Sequence, residues 1–338
     1  MEKINSNKQN RLMIMTGALL VLLAIIFRWI GKVQEGSISI IASHLRSYIY
    51  IGMYGGWMIM VNRRIVQKQM RNLLMAVGAM AIFWMTVRTI KYLYIDDAIV
   101  TRYLWYMYYI PMNFIPTLCA MVAISGGKTE TWRLPKWSFA LLAVPIVLSL
   151  GVLLNDYHQL AFRFLTPVWN DKDIRYGPIY WCCICWEILC GAYALVILFQ
   201  KCRLPHRRRF LLLPFIPAIC SVLYGFAYIM QPPVLMIIAG DITAFQCLFF
   251  VGSLECCIQC GLIRSNNNYD ELFRISSLQA LITDKDYHIL LASDEGIMQR
   301  LNRCEKLKEV LFHWAMVFVC LEHPLKKAMY CGWKMYRN

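Results

Sequence analysis

The sequence predicts an all-α polytopic membrane protein, a bundle of seven to eight transmembrane helices with a short cytoplasmic linker and a sensor-like tail. Three observations carry this. Of the 338 residues, 59% are hydrophobic and only 16% charged, against roughly 45–50% and about 25% in an average soluble domain. The apolar residues gather in blocks of about 20, the length a helix needs to cross the hydrocarbon core. The loops between the blocks alternate between rich and poor in Lys and Arg, the pattern of a multi-pass chain. A chain of this balance has too little polar surface to cover a water-soluble core. A soluble enzyme, a disordered chain and a secreted disulfide scaffold are excluded.

Eight segments reach spanning length: 12–30, 38–61, 73–94, 103–124, 138–154, 179–200, 210–230 and 236–260. The first follows Lys3, Lys8 and Arg11 as a signal peptide would, but no small-x-small site is followed by a soluble domain, so it reads as an anchor helix. With the N-terminus in the cytoplasm, that side collects fifteen Lys and Arg, in the N-tail and in 62–72, 126–137 and 201–209. The opposite side collects five: Lys32, Arg102, Arg163, Lys172 and Arg175. The bias orients the bundle in a cell inner membrane with a cytoplasmic C-terminus. The net charge of +15 is then a topology signal facing anionic lipid rather than a nucleic-acid footprint. The lipid bilayer is the expected partner, and no nucleic acid is.

Ionisable residues inside a span are costly and mark a site or a bridge between helices. Arg46 and Glu187 lie eight residues from the outer ends of their spans, about 12 Å deep. Arg88 and Asp241 lie five or six residues in, roughly 8 Å. Two cations and two anions at one depth can simply hold helices together. They can equally line a cavity open to the outside, with Arg46 and Arg88 anchoring an anionic ligand beside Glu187 and Asp241. Glu255 falls near the inner face. Asp156, His158 and Trp169 belong to an outer loop that would cap the cavity; Asp156 with His158 is too small a ligand set for a metal. Cys257-x-x-Cys260 also lacks a second pair and reads as apolar packing. No metal, cofactor or catalytic residue is expected. Tyr103, Trp105, Tyr106, Tyr108 and Tyr109 read as an aromatic belt at the interface. Pro111, Pro116, Pro145, Pro214 and Pro217 would bend helices by removing backbone hydrogen bonds.

Several motifs then stand in order along the chain: RYLWYMYYIPMNFIP (102–116), RLPKW (133–137), NDYHQLAFRF (155–164), WNDKDIRYGP (169–178), KCRLP (201–205), AGD (239–241) and LECCIQCGLIRSNNNYDELF (254–273). Together they resemble the seven-transmembrane N-terminal sensor region of bacterial histidine kinases, over roughly residues 45–295. The resemblance implies a sensory input module, with a dimerising phospho-acceptor His and an ATP-binding domain expected downstream. Here His313 is followed by Trp314 rather than an acidic residue, and no Gly-rich box or P-loop is found. The chain is therefore read as an input module without its own kinase domain. A homodimer, a separate kinase or a response-regulator system would supply the output. The alternative is a secondary transporter of a small anionic solute, favoured by intramembrane charges and broken helices and disfavoured by the lack of an internal repeat. A membrane-embedded enzyme ranks last, because no nucleophile–base set is evident in the spans.

The predicted organisation is an N-terminal tail and anchor helix (1–37), a sensor bundle (38–263), a cytoplasmic linker with a sensor-like start (264–296) and an irregular tail (297–338). Leu272, Ile275, Gln279 and Ile282 follow a 3-4-3 spacing, which fits a short signalling helix. The runs around Asp284 and Asp286 predict a hairpin. The tail has no clear period, and a truncated or altered reading frame would produce one like it.

Overall fold

In a computed structural model, residues 6–126, 132–164, 174–200, 213–230, 232, 240–260, 262–263, 280–283, 289–292 and 329–332 are described. The chain forms two compact units, Met1–Ser265 and Asn266–Asn338.

The first unit is a helical bundle. Its helices are α1 (Ser6–Val33), α2 (Ser37–Arg64), α3 (Lys68–Leu93), α4 (Ala98–Met107), α5 (Tyr109–Ser125), α6 (Ala143–Leu153), α7 (Asn155–His158), α8 (Pro178–Gln200), α9 (Phe215–Met230) and α10 (Ile242–Gln259). A 3-10 segment, Lys136–Leu142, leads into α6. Among the described residues six stretches are long and apolar enough to cross a membrane: Leu12–Val33, Lys68–Leu93, Ala98–Ser125, Lys136–Leu153, Pro178–Leu198 and Ile242–Gln259. The molecule is thus an all-α polytopic membrane protein. Of the other two predicted spans, α2 is 28 residues long but diluted by His44, Arg46, tyrosines and glycines. The apolar helix at the seventh is shorter, Phe215–Tyr228.

Neighbours in sequence are mostly neighbours in space, with α2 between α1 and α3, and α3 against α5 and α10. α5 is the central helix. Every residue from Ile115 to Ser125 is buried, as expected of a helix that is apolar all round. The periphery is apolar too: Ile216, Ile219, Val222, Leu223, Phe226 and Met230 make one exposed stripe along α9. In water such a stripe would aggregate; against lipid it is the solvated face. Several Ser and Thr hydroxyls inside the bundle are satisfied within their own helices, as in Thr89 Oγ1 to the Met85 carbonyl at 2.7 Å and Ser125 Oγ to Met121 at 2.6 Å. Hydrocarbon offers them no water partner.

Four segments differ in detail from the sequence reading. The fourth span is broken at Tyr108 between α4 and α5. The cause is Pro111, which has no N–H to offer the Met107 carbonyl. Pro145 has the same relation to Leu141, where the 3-10 segment gives way to α6. Pro116 lies inside α5. The aromatic run is not a belt: Tyr106 is fully buried, and Tyr108 and Tyr109 nearly so, because Phe162 and Tyr180 pack onto that face. The last helix starts at Ile242, so Asp241 caps it from outside rather than sitting within a span.

An antiparallel pair, β1 (Phe162–Phe164) and β2 (Ile174–Tyr176), follows α7. The second unit contains three short strands, β3 (Ala280–Thr283), β4 (Ile289–Ala292) and β5 (Met329–Gly332), in the order β4-β3-β5. β3 and β4 pair antiparallel where the sequence places a hairpin. Ile282, assigned to a helical 3-4-3 run, is on β3 instead; the rest of that run lies outside the described residues. Part of the tail read as irregular forms β5, which pairs antiparallel with β3. Four residues are too few to display a period of two.

Candidate functional site

The buried charges converge at one point. Asp241 is the N-cap of α10, its Oδ1 accepting the Ala244 N–H at 3.4 Å. A carboxylate is favoured there by the unpaired amides and the helix dipole. Arg88, five residues from the C-terminal end of α3, meets it with two nitrogens: Nε to Oδ1 at 2.9 Å and Nη2 to Oδ2 at 2.6 Å. The first contact is a charge-assisted hydrogen bond and the second a close ion pair.

Two further arginines face the same oxygen. Nη2 of Arg46 on α2 lies 3.9 Å from Oδ2, and Nη1 of Arg28 on α1 lies 4.0 Å from it. Relative exposure is 8% for Arg28, 8% for Arg46, 4% for Arg88 and 7% for Asp241. One buried carboxylate therefore stands among three buried guanidinium groups. Lys91 is buried one turn beyond Arg88, with its ammonium 4.7 Å from the Tyr92 ring centre and 5.7 Å from that of Tyr108.

Helix direction makes this meeting possible. α1 and α3 bring their C-terminal halves to Asp241, whereas α2 and α10 bring their N-terminal halves. α2 and α10 consequently run parallel, and a second ionic site joins their other ends. Arg64 donates to both oxygens of Glu255, at 2.8 and 2.7 Å. Trp57 Nε1 donates to Oε2 at 3.0 Å and Gln259 to Oε1 at 2.6 Å. Between the sites Tyr54 donates to the Ala244 carbonyl at 3.4 Å. At 1.5 Å rise per residue, Asp241 and Glu255 are about 21 Å apart along α10. The helix that leads out of the bundle is tied at both ends.

The expected four-residue set is only partly assembled. Arg46, Arg88 and Asp241 come together. Glu187, on α8, makes no hydrogen bond or ion pair among the described residues and is not part of the cluster. Counting residues from span ends gives depth but not azimuth, and α8 packs against α5 and α6, whereas Asp241 meets α1, α2 and α3. Arg28 takes the open place. Sequence reasoning passed over it because it stands near the end of the first span, where a cation reads as an interface anchor. The available signal was that it is the one cation in 12–30.

The outer-loop residues form a separate polar cluster. Asp156 accepts from Arg102 and from the Tyr106 hydroxyl, each at 2.8 Å. His158 Nδ1 accepts the Leu160 N–H at 2.9 Å, so Nε2 carries the proton donated to the Gly151 carbonyl at 2.8 Å. Both ring nitrogens are engaged with backbone, which makes His158 a pin for the turn. Buried Asn155 accepts from the Ala161 and Phe162 amides at 3.0 and 2.9 Å and donates to the Phe162 carbonyl at 2.9 Å. These bonds seat β1 against Tyr106 and Tyr109. Trp169 lies outside the described residues. Among the described residues no group of three or more His, Cys, Asp or Glu is placed to hold a metal, and Cys257 and Cys260 are both buried.

Residues 47–254 match the protein family described as the N-terminal 7TM region of histidine kinase. The match runs from within α2 into α10; Arg88 and Asp241 lie inside it, and Arg28 and Arg46 precede it. No curated protein and no solved structure matches the chain.

Proposed function

Because this chain belongs to the N-terminal 7TM region family of histidine kinases, we propose that it is a sensory input module of the cell inner membrane whose last helix transmits the signal. One observation carries the transmission step: α10 is held by Asp241 at one end and Glu255 at the other, both through arginines of other helices. A stimulus that favours one set of these contacts shifts α10 relative to α2, and a ligand moves an equilibrium only through such a difference in affinity. Residues 1–37 act as tail and anchor, 38–263 as the sensor bundle, 264–296 as linker and sensor-like start, and 297–338 as a tail.

The excess of Lys and Arg in alternate loops supports a cytoplasmic C-terminus. The parallel run of α2 and α10 agrees with this, since two helices separated by an odd number of crossings point the same way. The chain is assigned no chemistry of its own. A second copy, a separate kinase or a response-regulator system supplies the output.

The test compares transcript profiles of cells carrying the full chain, the chain lacking 264–295, and no chain. The reading expects the deletion to match the null strain while the protein remains in the membrane. A deletion that leaves every response intact sinks it. Solute flux in proteoliposomes that is lost on changing Asp241 would replace it with the transporter reading.

A further inference from the structure

We propose that the Arg28–Arg46–Arg88 cluster binds a small oxyanion, a carboxylate or phosphate group, as a second counter-ion alongside Asp241. This deepens the sensor reading by naming the ligand class, and it rests on that reading for its signalling role but not for its binding chemistry. Arg46 and Arg88 share the one carboxylate of Asp241, a formal excess of one positive charge before Arg28 is counted at all. Buried cations are retained where they are paired and hydrogen-bonded. Asp241 is already engaged: Arg88 Nε and the Ala244 amide donate to Oδ1, and Oδ2, though without a hydrogen bond, lies 2.6 Å from Arg88 Nη2 as an ion pair.

Arg46 is the decisive residue. Its Nε is buried with no hydrogen-bond partner, and its terminal nitrogen, at 3.9 Å from Asp241, is beyond hydrogen-bond reach. A guanidinium carries five N–H donors in a fixed fork, and among the described residues Arg46 makes no hydrogen bond with any of them. The ten residues before Asp241, QPPVLMIIAG, contain no acid, so the missing negative charge does not come from that stretch. The fork matches two oxygens of one carboxylate or phosphate better than a single-atom ion. The positive end of the α10 dipole points to the same place. An anion seated against Arg46 shares its arginines with Asp241 and so loosens their hold on the first turn of α10.

The test uses the purified full chain in nanodiscs of phosphatidylcholine, titrated with inorganic phosphate at constant ionic strength and followed by tryptophan fluorescence on heating. The expected result is a saturable rise in Tm, since a ligand that binds the folded state stabilises it by mass action. Arg46→Gln weakens the apparent Kd about tenfold or more, the loss of roughly one charge-assisted hydrogen bond. Arg63→Gln, an exposed cation next to Arg64 in the chain, leaves the Kd unchanged. Asp241→Asn tightens it, because a competitor for the same guanidinium groups is gone; a purely structural cluster would not give that opposite sign. A repeat with phosphatidylglycerol separates the sources. If a lipid headgroup is the occupant, the Tm is already raised and added phosphate adds nothing; if a free solute is, the phosphate response persists. No saturable shift in phosphatidylcholine, or a shift that Arg46→Gln leaves intact, overturns the proposal. If binding fails while the response that depends on 264–295 survives, the ligand class falls and the sensor reading stands.

Discussion

Removing the single carboxylate and removing one of its three cations have very different consequences, although each deletes one charge. At an effective dielectric of about 20, opposite unit charges about 4 Å apart attract by about 4 kcal/mol. Arg46 has that attraction to Asp241. Arg46 and Arg28 each lie within 4.0 Å of one oxygen, so they are no more than about 8 Å apart and repel by about 2 kcal/mol. Arg88 is closer to that oxygen still, and its repulsion of Arg46 is at least as large. Arg46→Gln therefore loses one attraction and is relieved of two repulsions, for a net change within about 1 kcal/mol on these figures. Asp241→Asn loses attraction to all three arginines and relieves nothing. Breaking a buried pair costs about 3–5 kcal/mol, and this cluster belongs at or above the upper end. The double variant Asp241→Asn/Arg46→Gln should recover about 2 kcal/mol or more of that loss. The assay is thermal unfolding in phosphate-free buffer and uncharged nanodiscs. The expected Tm order is wild type close to Arg46→Gln, then the double variant, then Asp241→Asn. Equal losses for the two single variants, or a double variant below Asp241→Asn alone, would refute the charge arithmetic.

Two other predictions rest on separate parts of the bundle. Glu255→Gln leaves Arg64 with a half-matched fork and should cost about 3 kcal/mol, with a coupling to Arg64→Gln above about 1.5 kcal/mol in a double-mutant cycle of unfolding energies; additive single effects would mean that the two ends of α2 and α10 are not tied. At Gly177 a Cβ would run into the Leu160 carbonyl, and the Gly177 amide is held to Ala161 at 2.8 Å, so the backbone cannot retreat without breaking that bond. Gly177→Ala should destabilise by about 1–3 kcal/mol, as overpacking does, and raise protease nicking in the β1–β2 loop; an unchanged Tm and cleavage pattern would contradict the close approach.

Membrane class, helix positions and family were all legible in the order of residues. They depend on properties that are local or periodic: runs of apolar residues long enough to span, Lys and Arg between them, and motifs in sequence. A bilayer enforces these without regard to which helix lies beside which, because every span must satisfy its own backbone. Local chemistry was legible too where it acts within a few residues. Pro111 marks the break at Tyr108, and Asp241 next to Gly240 is a cap, although hydropathy alone drew it into the span.

Partnership was not legible, because it depends on rotation about each helix axis and on which helices touch. Glu187 and Arg46 share a depth in the sequence count, yet α8 packs beside α5 and α6 while α2 packs beside α1 and α3, and the two side chains do not pair. Arg28 drew no reading inside the first span, and Arg64 counted only among the cations of 62–72; the packing of α1 and α2 makes the first part of the Asp241 cluster and the second the fork on Glu255. Tyr106 and Tyr109 looked like an interface belt until β1 laid Phe162 over them. The sequence by itself determined that costly charges would lie within this bundle and roughly how deep. Only the tertiary structure decided that three cations share one carboxylate, because neutralisation is a matter of a few ångströms between helices that are far apart along the chain.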